Sequence, residues 1–371
     1  MLVNATEMLL KARDGHYGVP QFNINNLEWT KAVLTACEQT KSPVILGVSE
    51  GAGKYMTGFK TVAAMVKAMV DSMGITVPVA LHLDHGKSLE SVKACIAGGY
   101  TSVMIDGSSL PYEDNVELTR EVVKYAHPYG VTVEGELGVL AGVEDHVFSA
   151  TSTYTNPMQA VDFFKKTGCD ALAISYGTCH GPNKGKDTRI RREIAIATKE
   201  CMLHEGIDGF LVSHGSSTVP QEFVAAINAL GGQLENAFGI EVAQLADVAK
   251  CGISKINVDT DIRLACTRNI LQLFADEPEL RDCEALAQLY RDLKSNPKNF
   301  DPRNYCGSIF DTIVTGNVPN AQVGRIVRCM QDGVMAAIAP LLVQFGSCRT
   351  RQYVEPVTCE QMAERYKKEG I

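Results

Sequence analysis

The stretch Val77-Pro-Val-Ala-Leu-His-Leu-Asp-His-Gly86 is the clearest indication of the fold of this chain. Its apolar residues run almost without a break and are followed at once by Asp84, His85 and Gly86. Such a run is typical of a parallel strand that is covered on both faces. Residues 89–97, which follow, carry apolar side chains at helical spacing. The sequence therefore predicts a strand–helix unit with polar residues at the carboxyl end of the strand.

The same unit recurs along the chain and predicts eight strands that alternate with helices. The predicted strands are Gly18–Phe22, Val44–Val48, Val77–Leu83, Ser102–Ile105, Val131–Glu136, Ala171–Ser175, Gly209–Val212 and Ile253–Val258. Eight units favour an α/β fold of the closed (β/α)8 TIM barrel type over an open doubly wound sheet. The first strand is not followed by the G-x-G-x-x-G sequence of a dinucleotide-binding sheet, and Gly51-Ala-Gly53 lacks the third glycine.

The alternating pattern ends near residue 279, and a different region follows. Asn296–Pro302 and Gly316–Pro319 are rich in turn-forming residues. One helix-like stretch, Val323–Phe345, is predicted next, with an interruption at Pro340, and the polar residues 349–371 are predicted to be loosely held in part. We therefore expect a catalytic barrel domain at 1–300 and a C-terminal helical and irregular extension at 301–371, packed on the barrel or at a subunit interface.

Composition excludes several classes of partner. The 371 residues carry a formal charge of −8 without any run of lysine and arginine, which argues against nucleic acid or an anionic membrane as the main partner. The N-terminus does not resemble a secretory signal, and no apolar run approaches the roughly 20 residues of a membrane span. The twelve cysteines are scattered without a C-x-x-C pair, which favours reduced thiols in a cytoplasmic protein.

Three histidines fall just past the ends of the third, sixth and seventh predicted strands: His85, His180 and His214. Barrel enzymes place their chemistry at this rim. A catalytic zinc ion takes three protein ligands, often imidazoles, and keeps one position open. We therefore predict that these three side chains bind Zn²⁺. The other histidines are assigned to packing or hydrogen bonding (His82) or to polar helix ends and loops (His16, His127 and His204), and His146 stays unassigned.

Glycine-containing turns on the same rim are suited to phosphate binding. Gly181 and Lys184 follow the sixth predicted strand, and Gly215-Ser-Ser217 follows the seventh. Backbone N–H groups, hydroxyls and a lysine are the groups that hold phosphate in many sites. Arg263, four residues after Asp259, could grip a second phosphate with two hydrogen bonds.

These segments resemble the successive motifs of the class II fructose-1,6-bisphosphate aldolases. The similarity is carried by residues 79–116, by EGELGVLAGVEDHV at 134–147, by GTCHGPNK at 177–184, by LVSHGSS at 211–217 and by KINVDTDIR at 255–263. It extends over about residues 1–305 and implies the same barrel. The segment around 308–324 looks like an insertion and residues 355–371 like an extension.

The resemblance implies a role for individual residues. Zinc would bind His85, His180 and His214, with Glu136 as an alternate carboxylate near the metal. Asp84 would handle the proton of the C4 hydroxyl, and Glu144, in a loop at 138–154, would be the second acid or base. The implied substrate-binding residues are Asn23, Ser49, Gly181, Lys184, Gly215, Ser217, Asn257, Asp259, Thr260 and Arg263. Arg263 would reach the distal phosphate across a dimer interface.

The implied reaction is the reversible cleavage of fructose 1,6-bisphosphate, in glycolysis and gluconeogenesis. It gives glyceraldehyde 3-phosphate and an enediolate of dihydroxyacetone phosphate, whose charge zinc would stabilise as a Lewis acid. The resemblance also implies a phosphorylated sugar as the substrate, a homodimer or higher homo-oligomer and a possible monovalent cation, Na⁺ or K⁺.

Three alternatives remain open. A tagatose-1,6-bisphosphate aldolase would share the metal site, but the motif after the eighth strand would lack Asp259. A Schiff-base (class I) aldolase needs a lysine inside the barrel, for which Lys255 is the one candidate in the predicted strands. A non-catalytic binding protein built on a barrel would not need the acid, base and ligand residues that this chain retains.

Overall fold

A computed structural model of the protein describes residues 2–140, 142–144, 147–149, 153–182, 184, 188–309 and 321–371. Its centre is a closed barrel of eight parallel strands: β1 (Val19–Asn23), β2 (Val44–Ser49), β3 (Val79–Gly86), β4 (Ser102–Ile105), β5 (Thr132–Leu137), β8 (Ala171–Ile174), β9 (Phe210–Ser213) and β10 (Ile253–Val258). The strands β6 (Gly142–Glu144) and β7 (Val147–Ser149) pair with each other outside the barrel. Neighbouring strands follow one another around the barrel in the order β1-β10-β9-β8-β5-β4-β3-β2. The predicted (β/α)8 barrel is confirmed, and the predicted strands differ from these only at their ends.

Helices surround the barrel, and the apolar faces of those after α1 are buried in the main core cluster together with the strands. They are α1 (Thr6–Gly15), α2 (Leu27–Thr40), α3 (Glu50–Tyr55), α4 (Phe59–Ser72), α5 (Leu89–Gly98), α6 (Tyr112–Ala126), α7 (Pro157–Thr167), α8 (Arg192–His204), α9 (Gln221–Ala229), α10 (Val242–Val248), α11 (Thr260–Asp276) and α12 (Glu284–Ser295). The sequence did not predict α1. Its Met8, Leu9 and Ala12 pack with Val19 and Phe210 in a separate apolar cluster.

The strand β3 continues past its predicted end at Leu83 and contains an irregularity there. Leu83 pairs with Val103 and Gly86 with Ile105, so β3 has one more residue than β4 over this interval. His85, inside the interval, has a φ of 48°, in the left-handed region. An extra residue of this kind is a β-bulge, which changes the direction of the side chains that follow it.

The C-terminal extension contains one long apolar helix, Ala321–Gln344, which packs against α2 and α11. The helix is continuous through Pro340, so the predicted interruption is wrong. It is also long and apolar enough to cross a membrane, with a mean hydropathy of 1.5, which corrects the expectation that no such run exists. Only 44% of the apolar window is buried, and a single helix of this kind is weak support for a membrane span because core helices have the same composition.

The last residues form an ordered helix, Cys359–Glu369, which corrects the prediction of a loosely held tail. Thr358 and Gln361 form a capping box at its beginning. Tyr366 stacks on His127 with ring centroids 3.9 Å apart, and its hydroxyl donates a hydrogen bond of 2.7 Å to Asp170. Tyr366 therefore links this helix to the barrel.

Candidate active site

Three imidazole rings meet at the carboxyl end of the barrel, from the last residues of β3 and from the loops that follow β8 and β9. His85, His180 and His214 are buried, and one nitrogen atom of each lies within 4.8 Å of the other two. The ring centroid of His85 lies 4.7 Å from that of His214 and 5.0 Å from that of His180. The side chains that the sequence predicts as metal ligands thus form one cluster.

Two carboxylates orient two of these rings. Nδ1 of His85 lies 3.0 Å from Oδ2 of Asp106, whose Oδ1 accepts hydrogen bonds from Ser108. Nε2 of His214 lies 2.8 Å from Oε1 of Glu134. The remaining nitrogens, Nε2 of His85 and Nδ1 of His214, face each other at 3.0 Å. A histidine that binds a metal commonly donates its other ring N–H to a carboxylate, so this donor set fits a metal ion.

Sequence reasoning assigned no role to Asp106 or Glu134. Asp106 directly follows β4, so the rule that identified the histidines would also have identified it. Glu134 lies within the segment 134–147 that carries the resemblance, but nothing in the order of residues shows that it contacts His214. That contact depends on the order of the strands in the barrel.

The carboxylates around His85 favour a positive charge at the centre of the cluster. Burial lowers the pKa of His85, but its hydrogen bond to Asp106 and the charges of Asp84 and Glu136 raise this pKa well above its ordinary value. Burial and the charge of His85 hold the pKa of His180 and of His214 well below theirs. The surroundings therefore favour one cation among neutral imidazoles, which suits a divalent metal.

Asp84 lies beside the cluster and is buried with its carboxylate partly unpaired. Asn23 donates a hydrogen bond of 2.9 Å to its Oδ2, and its Oδ1 has no hydrogen-bond partner among the described residues. Burial raises the pKa of Asp84, but the charges of His85, His214 and Lys255 and the hydrogen bond from Asn23 lower it below its ordinary value. Asp84 is therefore held as a carboxylate with one oxygen atom that makes no hydrogen bond to the described residues.

Glu136 lies on another side of the cluster. Its Oε2 is 3.7 Å from Nδ1 of His85 and 3.8 Å from Nδ1 of His214, without a hydrogen-bond partner among the described residues. Burial and the charge of Asp106 raise the pKa of Glu136 well above its ordinary value. His85, Asp106 and Glu136 form a second set of potential ligands within 4.8 Å of one another. Glu136, predicted as an alternate carboxylate near the metal, thus lies close to two of the three imidazoles.

Glu144 lies in a short antiparallel hairpin that the sequence did not predict, β6 (Gly142–Glu144) with β7 (Val147–Ser149). The side chain of Glu144, like His146, lies outside the described residues. The base of the hairpin is described: Gly142 forms a parallel bridge with His180 and has a φ of 109°. A Cβ atom at Gly142 would lie 2.2 Å from the carbonyl oxygen of His180, so only glycine allows this contact.

The remaining residues predicted to bind substrate lie at or beyond the carboxyl ends of five barrel strands, β1, β2, β8, β9 and β10. Ser49 accepts a hydrogen bond from Ala52 N at the beginning of α3, and Ser217 Oγ accepts hydrogen bonds from the backbone of Asp259 and Thr260. The loops after β9 and β10 are therefore joined. Two of these predicted residues are glycines, Gly181 and Gly215. The side chains of the others are buried: Asn23, Ser49, Lys184, Ser217, Asn257, Asp259, Thr260 and Arg263.

Lys184 and Gly215 show how closely the two glycine-containing turns approach each other. The ammonium group of Lys184 donates a hydrogen bond to the carbonyl oxygen of Cys179. Gly215 has a φ of 60°, and a Cβ atom there would lie 2.4 Å from the same carbonyl oxygen. The predicted phosphate-binding turns are thus adjacent in space.

Arg263 is held by two carboxylates of its own chain. Its Nε and Nη2 lie 2.8 and 2.5 Å from the two carboxylate oxygens of Asp259, and its Nη1 lies 2.7 Å from Oδ2 of Asp301. The sequence predicted instead a contact with the distal phosphate across a dimer interface, which a single chain does not test. Asp301 was not identified, because the pair spans two segments that are distant in sequence.

The fold and this cluster define the class of the protein: a (β/α)8 barrel with a histidine and carboxylate site at the carboxyl ends of its strands. Residues 3–318 match the family described as class-II fructose-bisphosphate aldolase, and the chain belongs to this family. It is therefore an aldolase of a family that is generally metal-dependent. The match ends within the region that the sequence analysis identified as an insertion.

Similar proteins agree with this assignment. The chain is 46% identical over 282 residues to the fructose-bisphosphate aldolase of Geobacillus stearothermophilus, covering 76% of this chain and 88% of that protein. It is 43% identical over 325 residues to the fructose-bisphosphate aldolase of Treponema pallidum, covering 84% and 92%. Among solved structures, the YdjI aldolase of Escherichia coli K12 superposes with a TM-score of 0.68 at 26% identity, covering 95% of this chain and 100% of that one.

Proposed function

We propose that the protein cleaves fructose 1,6-bisphosphate reversibly to dihydroxyacetone phosphate and glyceraldehyde 3-phosphate, and that it requires Zn²⁺. The observation that carries the proposal is the joint burial of His85, His180 and His214 beside Asp84. Three imidazoles with carboxylates behind two of them suit zinc with one position left for substrate. When bound there, zinc would act as a Lewis acid on the oxygen atoms of the ketose.

Asp84 is the proposed base for the C4 hydroxyl. Its Oδ2 is fixed by Asn23, and its Oδ1 can accept the proton whose removal begins the cleavage of the C3–C4 bond. Glu144 is the proposed second acid or base, and the bridge between Gly142 and His180 supports it by bringing the hairpin to the cluster. Glu136, close to two of the ligands, is the proposed alternate carboxylate for the metal.

The two substrate phosphates are proposed to bind to residues that follow β8, β9 and β10. The turns at Gly181–Lys184 and Gly215–Ser217 would hold one phosphate with backbone N–H groups, hydroxyls and an ammonium group, with a monovalent cation nearby. Arg263 would clamp the other, in its own chain or across a homodimer interface. Asn23, Ser49, Asn257, Asp259 and Thr260 would contact the sugar between the two phosphates.

Fructose bisphosphate is proposed over tagatose bisphosphate because Asp259 is present and buried at the end of β10. The relatives named as fructose-bisphosphate aldolases support this choice. In the cell, the reaction would serve glycolysis and gluconeogenesis in the cytoplasm. The barrel at 1–300 would carry the catalysis and residues 301–371 would support it structurally.

The proposal is tested by metal analysis and fructose bisphosphate cleavage in the purified protein, before and after a chelator. We expect about one bound zinc ion per protein chain. The chelator should abolish activity, and added Zn²⁺ should restore it. Activity that survives complete metal removal would contradict the zinc requirement and favour a Schiff-base aldolase. A metal-loaded protein with no turnover would favour a non-catalytic barrel.

The ligand assignment has its own test. His85→Ala, His180→Ala and His214→Ala should each lose the metal, because two imidazoles rarely hold catalytic zinc. His204→Ala is the matched control, since its side chain is 86% exposed at the end of α8. Full metal content in any of the three site variants would remove that residue from the proposed ligands.

A further inference from the structure

Lys255 is a buried lysine that the proposed reaction does not use. It lies in the middle of β10 and is only 1% exposed. Moving a single ammonium group from water into the interior of a protein costs several kcal/mol unless a partner of opposite charge is present. A lysine at this position therefore requires a specific partner.

The partner is Glu134 on β5. Nζ of Lys255 lies 2.7 Å from Oε2 of Glu134, which is only 2% exposed. In the barrel, β5 and β10 are separated by β8 and β9, so this ion pair crosses the interior. The second carboxylate oxygen of Glu134, Oε1, accepts the hydrogen bond from Nε2 of His214. One carboxylate thus connects the lysine to a proposed metal ligand.

The register of the strands puts Lys255 one layer below the metal site. Lys255 is level with Val212 on β9, and His214 comes two residues later, toward the carboxyl ends. The carboxylate of Glu134 lies between Lys255 and His214, so the lysine is connected to this proposed ligand through Glu134. Nζ of Lys255 is engaged by the carboxylate of Glu134 at 2.7 Å.

We propose that Lys255 is a positioning residue that fixes His214 through Glu134. The ammonium group fixes one carboxylate oxygen, so the other stays in place to accept the N–H of His214. This hydrogen bond selects the imidazole tautomer that has its proton on Nε2 and its lone pair on Nδ1, facing His85. The inference rests on the proposed metal site and adds two residues to it.

His82 completes the surroundings of this ion pair. Its Nδ1 is 2.7 Å from Ser102 Oγ, and its Nε2 lies 3.9 Å from Oε2 of Glu134 without a hydrogen-bond partner among the described residues. Without Lys255, Oε2 of Glu134 would have no hydrogen bond from the residues described around it, and the carboxylate could rotate away from His214. The lysine is therefore what holds Glu134 in the orientation that His214 needs.

The first test replaces Lys255 with methionine, which keeps an unbranched side chain only one heavy atom shorter and removes the charge. The measurement is the rate at which the purified, zinc-loaded protein releases its metal to an excess of chelator. Loss of a partner behind a metal ligand weakens binding by about 10- to 100-fold, so we expect Lys255→Met to release zinc faster by a factor of this order. Lys250→Met, at an exposed lysine in the same segment, is the matched control.

The second test is the double variant Lys255→Met with Glu134→Gln. A glutamine is neutral, so it needs no ammonium group, and its amide oxygen can still accept the N–H of His214. Its NH2 group, in the place of Oε2, lies near the unpaired Nε2 of His82. If the role of Lys255 is to hold Glu134, the double variant should release zinc more slowly than Lys255→Met. The visible spectrum of the cobalt-loaded protein should return toward that of the wild type in the same way.

The outcomes separate this inference from the proposed function. Suppose that wild-type protein binds zinc through His214 and that Lys255→Met releases zinc no faster than the wild type. This result would leave the proposed function intact and overturn the positioning role of Lys255. A double variant that releases zinc as fast as Lys255→Met would also overturn it, since the lysine would then act by other means. If Lys255→Met fails to fold while the double variant folds and holds zinc, the pairing is supported. Zinc retained by His214→Ala would instead overturn the proposed ligand set.

Discussion

Asp259→Ala tests the choice between the two epimeric substrates, and the structure sets the size of the effect. The variant removes both oxygen atoms that bind Arg263, at 2.8 and 2.5 Å, but leaves the contact of Arg263 with Asp301 at 2.7 Å. Because the guanidinium group keeps one carboxylate partner, we expect the barrel to fold. The main loss is then the hydrogen-bond acceptor that Asp259 is proposed to offer to the hydroxyls of the sugar.

A hydrogen bond to a charged group contributes about 1.5–3 kcal/mol. A site distinguishes epimers well when a misplaced hydroxyl leaves such a buried group unpaired. If the hydrogen bond forms with only one epimer in the transition state, its loss should reduce the ratio of kcat/KM for fructose over tagatose bisphosphate by about 10- to 150-fold. The assay is the measurement of kcat and KM for both bisphosphates with wild-type and variant protein.

Arg263→Ala is the control for this experiment, because Asp259→Ala also disturbs the arginine. Loss of a phosphate clamp should raise KM for both substrates and leave their ratio unchanged, since the phosphates of the epimers are the same. An Asp259→Ala variant with the wild-type ratio would refute the reasoning. The preference for fructose bisphosphate would then depend on other residues.

Three further predictions concern the base, the hairpin and the C-terminal helix. Asp84→Ala should keep its zinc but lose turnover by about two to four orders of magnitude, the usual contribution of a positioned base, and near wild-type cleavage would place the base elsewhere. Glu144→Ala should lower turnover at unchanged metal content and unchanged substrate affinity, and should also slow the exchange of the dihydroxyacetone phosphate proton with solvent; unchanged exchange would make Glu144 an ordinary loop residue. Tyr366→Phe removes the hydroxyl that binds Asp170 and should lower the free energy of unfolding by about 1.5–3 kcal/mol, measured by denaturant unfolding. Tyr353→Phe, at an exposed tyrosine, is the control, and equal stability of the two variants would show that the hydroxyl of Tyr366 does not hold the helix.

The barrel was predictable because its strands have an unusually direct signal. Val44–Ser49 and Ala171–Ile174 are buried at every position, as both faces of a parallel strand are covered in a barrel. Apolar runs therefore marked the strands, and the polar residues just beyond them marked the rim. His85, His180 and His214 could be predicted together because each lies past such a run.

The contacts between those residues could not be predicted in the same way. Glu134 binds His214 and Lys255, both more than 70 positions away in the chain, and the three meet only through the order and register of the strands. The helix Cys359–Glu369 was missed for a related reason. It buries only Met362 and Tyr366, so its stability comes from contacts with His127 and Asp170 that its own polar sequence does not show.

The bulge in β3 shows how a local departure from regular structure makes the site possible. Side chains alternate along a regular strand, so neighbours such as Asp84 and His85 would point to opposite sides of the barrel wall. The sequence analysis placed both residues past the end of the third strand, where alternation no longer applies, but β3 continues to Gly86. The extra residue and the left-handed backbone of His85 break the alternation inside the strand instead. Because His85 then reaches His214 at 3.0 Å while Asp84 stays beside Asn23 at 2.9 Å, the proposed base and a proposed metal ligand can act on one substrate. A non-glycine residue with a left-handed backbone is uncommon, and in this chain the one in the bulge of β3 is a proposed metal ligand.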